Sequence, residues 1–175
     1  MDMSAISAAD GSTVRVTRRT RLPIMAALVE VVSVVDAEPA RVFDLKLDVG
    51  VHTDAMRDSG ETATTSSGRD RLTLGDEVTF HGRHFGVRWR MTSRISACQR
   101  PRHFVDEQTR GPFRAMRHEH YFEDLGGGRT RMIDRMTVSA PFGPVGAVVT
   151  RVVLVPYLRR LLTRRAAHIR QVAAA

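Results

Sequence analysis

The sequence predicts an α+β fold: a curved antiparallel sheet of about seven strands wrapped around a long C-terminal helix, with two short helices after strand one. Three observations point there. The middle of the chain alternates with period two. Val87, Trp89, Met91 and Ile95 fall on one face, and Arg88, Arg90, Thr92 and Arg94 on the other, as in a half-buried antiparallel strand. The last third switches to a helical period, with Leu154, Val155, Leu158, Leu161, Leu162, Ile169 and Val172 on one arc and Arg160, Arg164 and Gln171 opposite. A sheet with one apolar face needs a cover, and the last helix is the only element long enough to supply it. A curved sheet around a helix leaves a cavity between them.

The elements follow in order. Ala27–Val35 is rich in Val and reads as strand one. Glu38-Pro39 opens a helix because proline suits the first helical turn; Val42, Phe43 and Leu45 would face the core from it. A second short helix is expected around Val51–Arg57, and the Thr-rich stretch Gly60–Gly68 as an edge strand. Strands are then expected at Glu77–Phe85, Val87–Ala97, Arg102–Arg110, Phe113–Glu123 and Thr130–Ala140. Gly86, Pro101, Gly111-Pro112 and the triplet Gly126-Gly127-Gly128 punctuate them. In the last helix Pro156 should force a kink, since proline cannot donate to the carbonyl of Val152. Arg151 and Arg165 intrude on its apolar arc, and Gly143 and Gly146 mark the turn into it.

Composition narrows the classes. A chain of 175 residues, 42% hydrophobic and 26% charged, is one domain's worth of ordinary globular protein. The single cysteine, Cys98, excludes an intramolecular disulfide and any multi-cysteine zinc site. It is expected on the face opposite Trp89, as an inert thiol. The net charge of +8 suggests nucleic acid, but it lies at the ends: residues 1–23 and 151–175 carry the whole excess, and the body between them is neutral. Lys46 is the only lysine, and the other 26 basic residues are Arg, a bias that either GC-rich coding or a choice of Arg for bidentate phosphate binding explains. Residues 1–24 read as a disordered tail before a single ligand-binding domain at 25–175. Arg18-Arg19 ahead of Leu22–Val35 resembles an export signal, but Glu30 breaks the apolar run. A cytoplasmic location is expected.

Three segments resemble a known family: GDEVTFHGRHFGVRWRMTSRI (75–95), RPRHFVDEQTRGPFRAMRHEHYFE (100–123) and GGGRTRMIDRMTVSAPFGPVG (126–146). In their order they resemble the START/SRPBCC superfamily, the helix-grip fold, in its bacterial polyketide cyclase/dehydrase-like branch. The resemblance spans roughly residues 26–172. It implies a ligand-sized pocket under the last helix. Members of the family bind lipids, quinones, sterols or polyketides, and a minority are cyclases or dehydratases.

The residues on the inward faces are then the candidate ligand-binding set. His118 and His120, two apart, share a face with Met116 and Phe122. Met132, Asp134, Met136 and Val138 share a face of the next strand, and Val78, Phe80, Gly82 and His84 a face of an earlier one. The family's sheet order implies that Asp134 lies beside one of the two histidines. Trp89 and Met91 are the expected apolar wall. Three roles compete for the polar residues. His118, His120 and Asp134 could form a satisfied polar network that fixes the shape of the pocket. A histidine oriented by Asp134 could act as general acid–base on a carbonyl compound, giving dehydration or ring closure of a β-hydroxy ketone. The H-x-H pair with His84 could hold zinc or iron, but a firm third ligand is missing, so no metal and no cofactor is expected. No nucleotide-binding glycine loop or nucleophile elbow is present.

The expected partner is therefore a small hydrophobic molecule such as a lipid, quinone or polyketide. Arg159, Arg160, Arg164, Arg165 and Arg170 are spread around the last helix and read as a solvated exterior. Peripheral contact with anionic membranes comes next, and RNA contact behind it. The chain is expected to act as a monomer or homodimer.

Overall fold

The computed structural model describes residues 26–175. Residues 1–24, expected as a tail, fall outside the described residues. Seven antiparallel strands form one sheet in the order β1-β7-β6-β5-β4-β3-β2. They are β1 (Ala27–Val35), β2 (Thr62–Thr65), β3 (Glu77–His84), β4 (Val87–Gln99), β5 (His103–Arg110), β6 (Ala115–Asp124) and β7 (Thr130–Ser139). Helices α1 (Pro39–Leu47) and α2 (Val49–Ala55) follow β1. Pro39 occupies the first turn of α1, and the Asp48 carboxylate accepts the backbone N–H of Val51 to cap α2. The Thr-rich stretch becomes the short edge strand β2, paired only with β3. All three glycines of 126–128 have positive φ, the conformation the β6–β7 hairpin turn demands.

The C-terminal helical segment begins as α3 (Gly143–Val149), widens into a single π-type turn at Thr150–Leu154, and continues as α4 (Val155–Ala174). The wide turn ends just before Pro156, where the missing N–H interrupts the regular ladder, so the expected break takes the form of a bulge. Thr150 secures it. Its hydroxyl donates to the carbonyl of Gly146 at 2.7 Å and accepts the N–H of Ala140 at 2.9 Å. Gly146 lets this helix start sit against the preceding loop, because a Cβ there would fall 1.8 Å from the carbonyl oxygen of Pro141.

The helix covers the sheet through two apolar clusters. Leu154, Leu158 and Leu162 pack on Val29, Met116, Met136 and Val138. Further along, Ala166, Ile169 and Ala173 join Phe43 of α1 with Phe104, Phe122 and Met132. Phe43 meets Phe104 and Phe122 edge-on at 5.4 and 5.3 Å between centroids, contacts each adding about 0.5–1.5 kcal/mol beyond their buried area. One expectation of facing is corrected. A bulge between Ile95 and Ala97 in β4 reverses the parity of the strand, so Cys98 pairs with Phe104 and packs against the core rather than lying opposite Trp89.

Candidate functional site

Along β6 the inward residues read Met116, His118, His120, Phe122, so two histidines separate the two apolar clusters. The register sets His120 opposite Asp134 of β7 and His118 opposite Asp106 of β5. Asp134 is the hub. Its Oδ1 accepts from Lys46 Nζ of α1 at 2.7 Å and lies 2.7 Å from His120 Nδ1. His120 Nε2 lies 2.9 Å from Asp106 Oδ2. The side chains of Lys46, His118, His120 and Asp134 are only 1–2% exposed, whereas Asp106 keeps 19%. Arg165 of α4 acts electrostatically on Lys46 and Asp106.

Burial and charge oppose each other in this network. For Asp134, burial favours the neutral acid, yet the ammonium of Lys46 and the adjacent imidazoles of His118 and His120 prevail and hold its pKa well below the usual carboxylate range. Burial likewise resists ionisation of Asp106, but His120 and His118 bring it down to about 2. Desolvation, followed by the neighbouring charge of His120, lowers His118 to about 3. For Lys46, burial outweighs the attraction of Asp134, and its pKa is lowered.

The cavity lies beside this network, between α4 and the β3–β4 end of the sheet, with a volume of about 120 Å³. One water needs roughly 10–15 Å³ on such a measure, so several non-hydrogen atoms fit. Phe80, Trp89, Met91 and Met136 of the sheet and Leu158 and Leu161 of α4 form much of its wall. The polar groups that reach it are His52, Glu61, His84, Tyr157 and Arg165. They are linked: His52 Nε2 lies 2.7 Å from Glu61 Oε1, His84 Nε2 is 3.8 Å from Glu61 Oε2, and His84 Nδ1 is 2.5 Å from the Tyr157 hydroxyl. Burial first, and the Arg165 charge second, lower His52 to about 4. Burial and the Glu61 charge raise Tyr157, so its phenol stays protonated.

Of the residues expected on sequence grounds to bind ligand, Phe80, His84, Trp89, Met91 and Met136 line the cavity. Met116, His118, His120, Phe122, Met132 and Asp134 do not, and are buried under α4 and α1 instead. The three candidate catalytic residues, His118, His120 and Asp134, are therefore together but behind the cavity. Sequence reasoning missed His52, Glu61, Tyr157 and Arg165 as lining groups. Arg165 left a signal, since it interrupts the apolar arc of the helix. It turns inward, which corrects its assignment to a solvated exterior; Arg159, Arg160 and Arg170 are exposed.

At the α3 end, a second apolar groove of about 340 Å³ shares Trp89, Pro112, Phe113 and Leu154 with the cavity. The surface there stays apolar: Phe142, Val145, Val148 and Val152 are all exposed, Phe142 by 84%. Among the described residues no helix is long and apolar enough to cross a membrane.

Comparison with known proteins agrees with this architecture. Residues 26–174 match the family described as polyketide cyclase/dehydrase and lipid transport. Solved structures similar to the chain include the Zhui aromatase/cyclase from Streptomyces sp. R1128, 17% identical with a TM-score of 0.70 over 85% of this chain and 94% of that one. A START superfamily protein from Mycobacterium smegmatis is 12% identical, with a TM-score of 0.60 over 84% and 97% of the two chains. The di-domain aromatase/cyclase BexL of the BE-7585A biosynthetic pathway is 14% identical, with a TM-score of 0.69 over 87% of this chain and 52% of that one. No curated protein matches the chain in sequence. With a seven-stranded sheet closed over a long C-terminal helix and the match running through nearly all of it, the chain belongs to the polyketide cyclase/dehydrase and lipid transport family.

Proposed function

We propose that this protein binds a small, largely apolar molecule carrying one polar group in the cavity under α4. The observation that supports this is the division of the lining: an apolar wall of Phe80, Trp89, Met91, Leu158 and Leu161 faces a few converging polar side chains, the usual make-up of a ligand pocket. Arg165 and the Tyr157 hydroxyl are the groups suited to a carbonyl, carboxylate or phenolate on the ligand. The exposed apolar surface of α3 beside the neighbouring groove offers a place to take up a poorly soluble ligand from a membrane. The test uses indole as the probe, with binding followed by calorimetry. The folded protein should bind it saturably near one equivalent, and Met91→Trp, which fills the cavity, should weaken binding at least tenfold while the fold is kept. Equal binding by a well-folded Met91→Trp variant overturns the reading.

A second reading is favoured by one contact, the 2.5 Å approach of His84 Nδ1 to the Tyr157 hydroxyl. Backed by Glu61, this pair is placed for general acid–base work on a carbonyl compound. A base would take the α-proton of a β-hydroxy ketone, the C–O bond would break, and the hydroxyl would leave as water after protonation. The acid–base pair would then be His84 and Tyr157 rather than a histidine with Asp134. A panel of β-hydroxy ketones scored for loss of water tests it. Turnover that survives in Tyr157→Phe and His84→Gln, or is absent from the parent protein, overturns this reading and leaves ligand binding standing.

A further inference from the structure

We propose that Asp106, His118 and His120 form a binding site for one divalent transition-metal ion of the zinc class. The H-x-H pair lacked a third ligand in the sequence, and His84 is engaged elsewhere with Tyr157. The fold supplies Asp106, brought opposite His118 by the β5–β6 register. One donor atom from each of the three residues lies within 4.8 Å of the others. Asp106 Oδ2 is 2.9 Å from His120 Nε2 and 3.7 Å from His118 Nδ1. Bonds of about 2.0–2.2 Å to a tetrahedral ion separate its donors by about 3.3 Å, so small side-chain rotations suffice and neither strand has to move.

Two features beyond proximity point to an ion. His118 is 2% exposed, and its buried Nε2 has no hydrogen-bond partner among the described residues. Its Nε2 lies 3.3 Å from Asp134 Oδ1 but out of line, and its Nδ1 is too far from Asp106. A buried imidazole nitrogen left unpaired is costly. Metal on Nδ1 and a slight rotation of Nε2–H onto Asp134 would satisfy both nitrogens. The second feature is Asp134 itself, which faces the far nitrogen of each ring, at 2.7 Å from His120 Nδ1 and 3.3 Å from His118 Nε2. That is the carboxylate–histidine–metal arrangement, in which an outer carboxylate fixes the orientation of the ligating rings. Lys46 balances the charge of Asp134, leaving two imidazoles and one carboxylate for the ion. The ion takes the place of the hydrogen bond between His120 Nε2 and Asp106 Oδ2, and the partly open side of Asp106 leaves room for a fourth ligand. Arg165 is the opposing cation, and its charge acts on Asp106.

The test is titration of the full chain, first stripped with a chelator, with Co²⁺ followed by Zn²⁺. One equivalent of Co²⁺ should produce the visible bands of a low-coordinate site, and Zn²⁺ should abolish them. Asp106→Asn, close to isosteric, should weaken Co²⁺ binding at least tenfold. Glu61→Gln, which alters the separate His52–Glu61–His84 group, should leave it unchanged. X-ray absorption on the zinc-loaded parent protein should show two imidazoles and oxygen, a readout that does not depend on any variant folding. Absence of stoichiometric binding, full affinity in a folded Asp106→Asn variant, loss in Glu61→Gln, or a zinc shell without imidazole each overturns the proposal.

Discussion

Replacing Lys46 with methionine removes one ammonium and keeps almost the same aliphatic stem, with little change in helix propensity. What changes is the company of Asp134. Lys46 Nζ donates to it at 2.7 Å, and both side chains are 1% exposed. Without the ammonium, a carboxylate held well below its ordinary pKa partly by Lys46 is left with only the two histidines. Breaking a buried ion pair from one side costs about 3–5 kcal/mol. For a domain of this size each kcal/mol lowers Tm by about 2–4 °C, so the expected drop is about 6–20 °C. The exposed pair Arg94–Glu77, with Arg94 56% exposed, provides the contrast: Arg94→Met should cost no more than about 1 kcal/mol. Thermal and urea unfolding of chelator-treated protein, followed by circular dichroism, measures both. Adding Asp134→Asn to Lys46→Met should recover part of the loss, since no lone charge then stays buried. If Lys46→Met costs no more than Arg94→Met, Asp134 is not a charged hub and the reading of the network is wrong.

Three further outcomes are expected. His52 titrates at about 4 in the folded chain against 6.5 as an unperturbed group, so between those values the unfolded state holds the extra proton. Its share of stability is therefore present above pH 6.5 and is lost as pH falls toward 4, by up to about 3 kcal/mol. His52→Gln should flatten the pH dependence of urea unfolding in that window, and an unchanged slope would refute the assignment. Gly146→Ala should destabilise by about 1–3 kcal/mol through overpacking against Pro141, whereas an unchanged Tm would mean the helix start shifts freely. Sedimentation with anionic vesicles should be weakened by Val148→Asp in α3 and Val152→Asp in the π-type turn after it; equal sedimentation would place any membrane contact elsewhere.

The strand and helix order was legible because each pattern has one dominant physical cause. Alternation fixed the face of Val87–Ile95, and the apolar arc Leu154–Ile169 fixed the helix that covers the sheet. Pairing of His118 and His120 on one face follows from the pleat alone. Their depth does not. Which column of the sheet lies beneath the helix, and which beside it, depends on how α4 crosses, and this separates the buried His118–His120–Asp134 group from the cavity formed by Phe80, Trp89 and Met91. The bulge at Ile95–Ala97 left no mark in residue type, so the facing of Cys98 was misread. The polar end of the cavity gathers His52, Glu61, His84 and Tyr157 from α2, the segment before β2, β3 and α4. No spacing rule links residues so far apart in the chain. Asp106 was hidden for the same reason, since only the β5–β6 register sets it opposite His118.

The central claim is that the space under α4 holds a molecule. Native mass spectrometry of the freshly purified full chain, followed by denaturation and identification of what is released, tests it most directly. An organic molecule released in about one equivalent from the parent protein, and missing from a folded Met91→Trp variant, is the predicted result. The same adduct retained at full occupancy by the Met91→Trp variant would contradict it, because the molecule would then be bound somewhere other than this cavity.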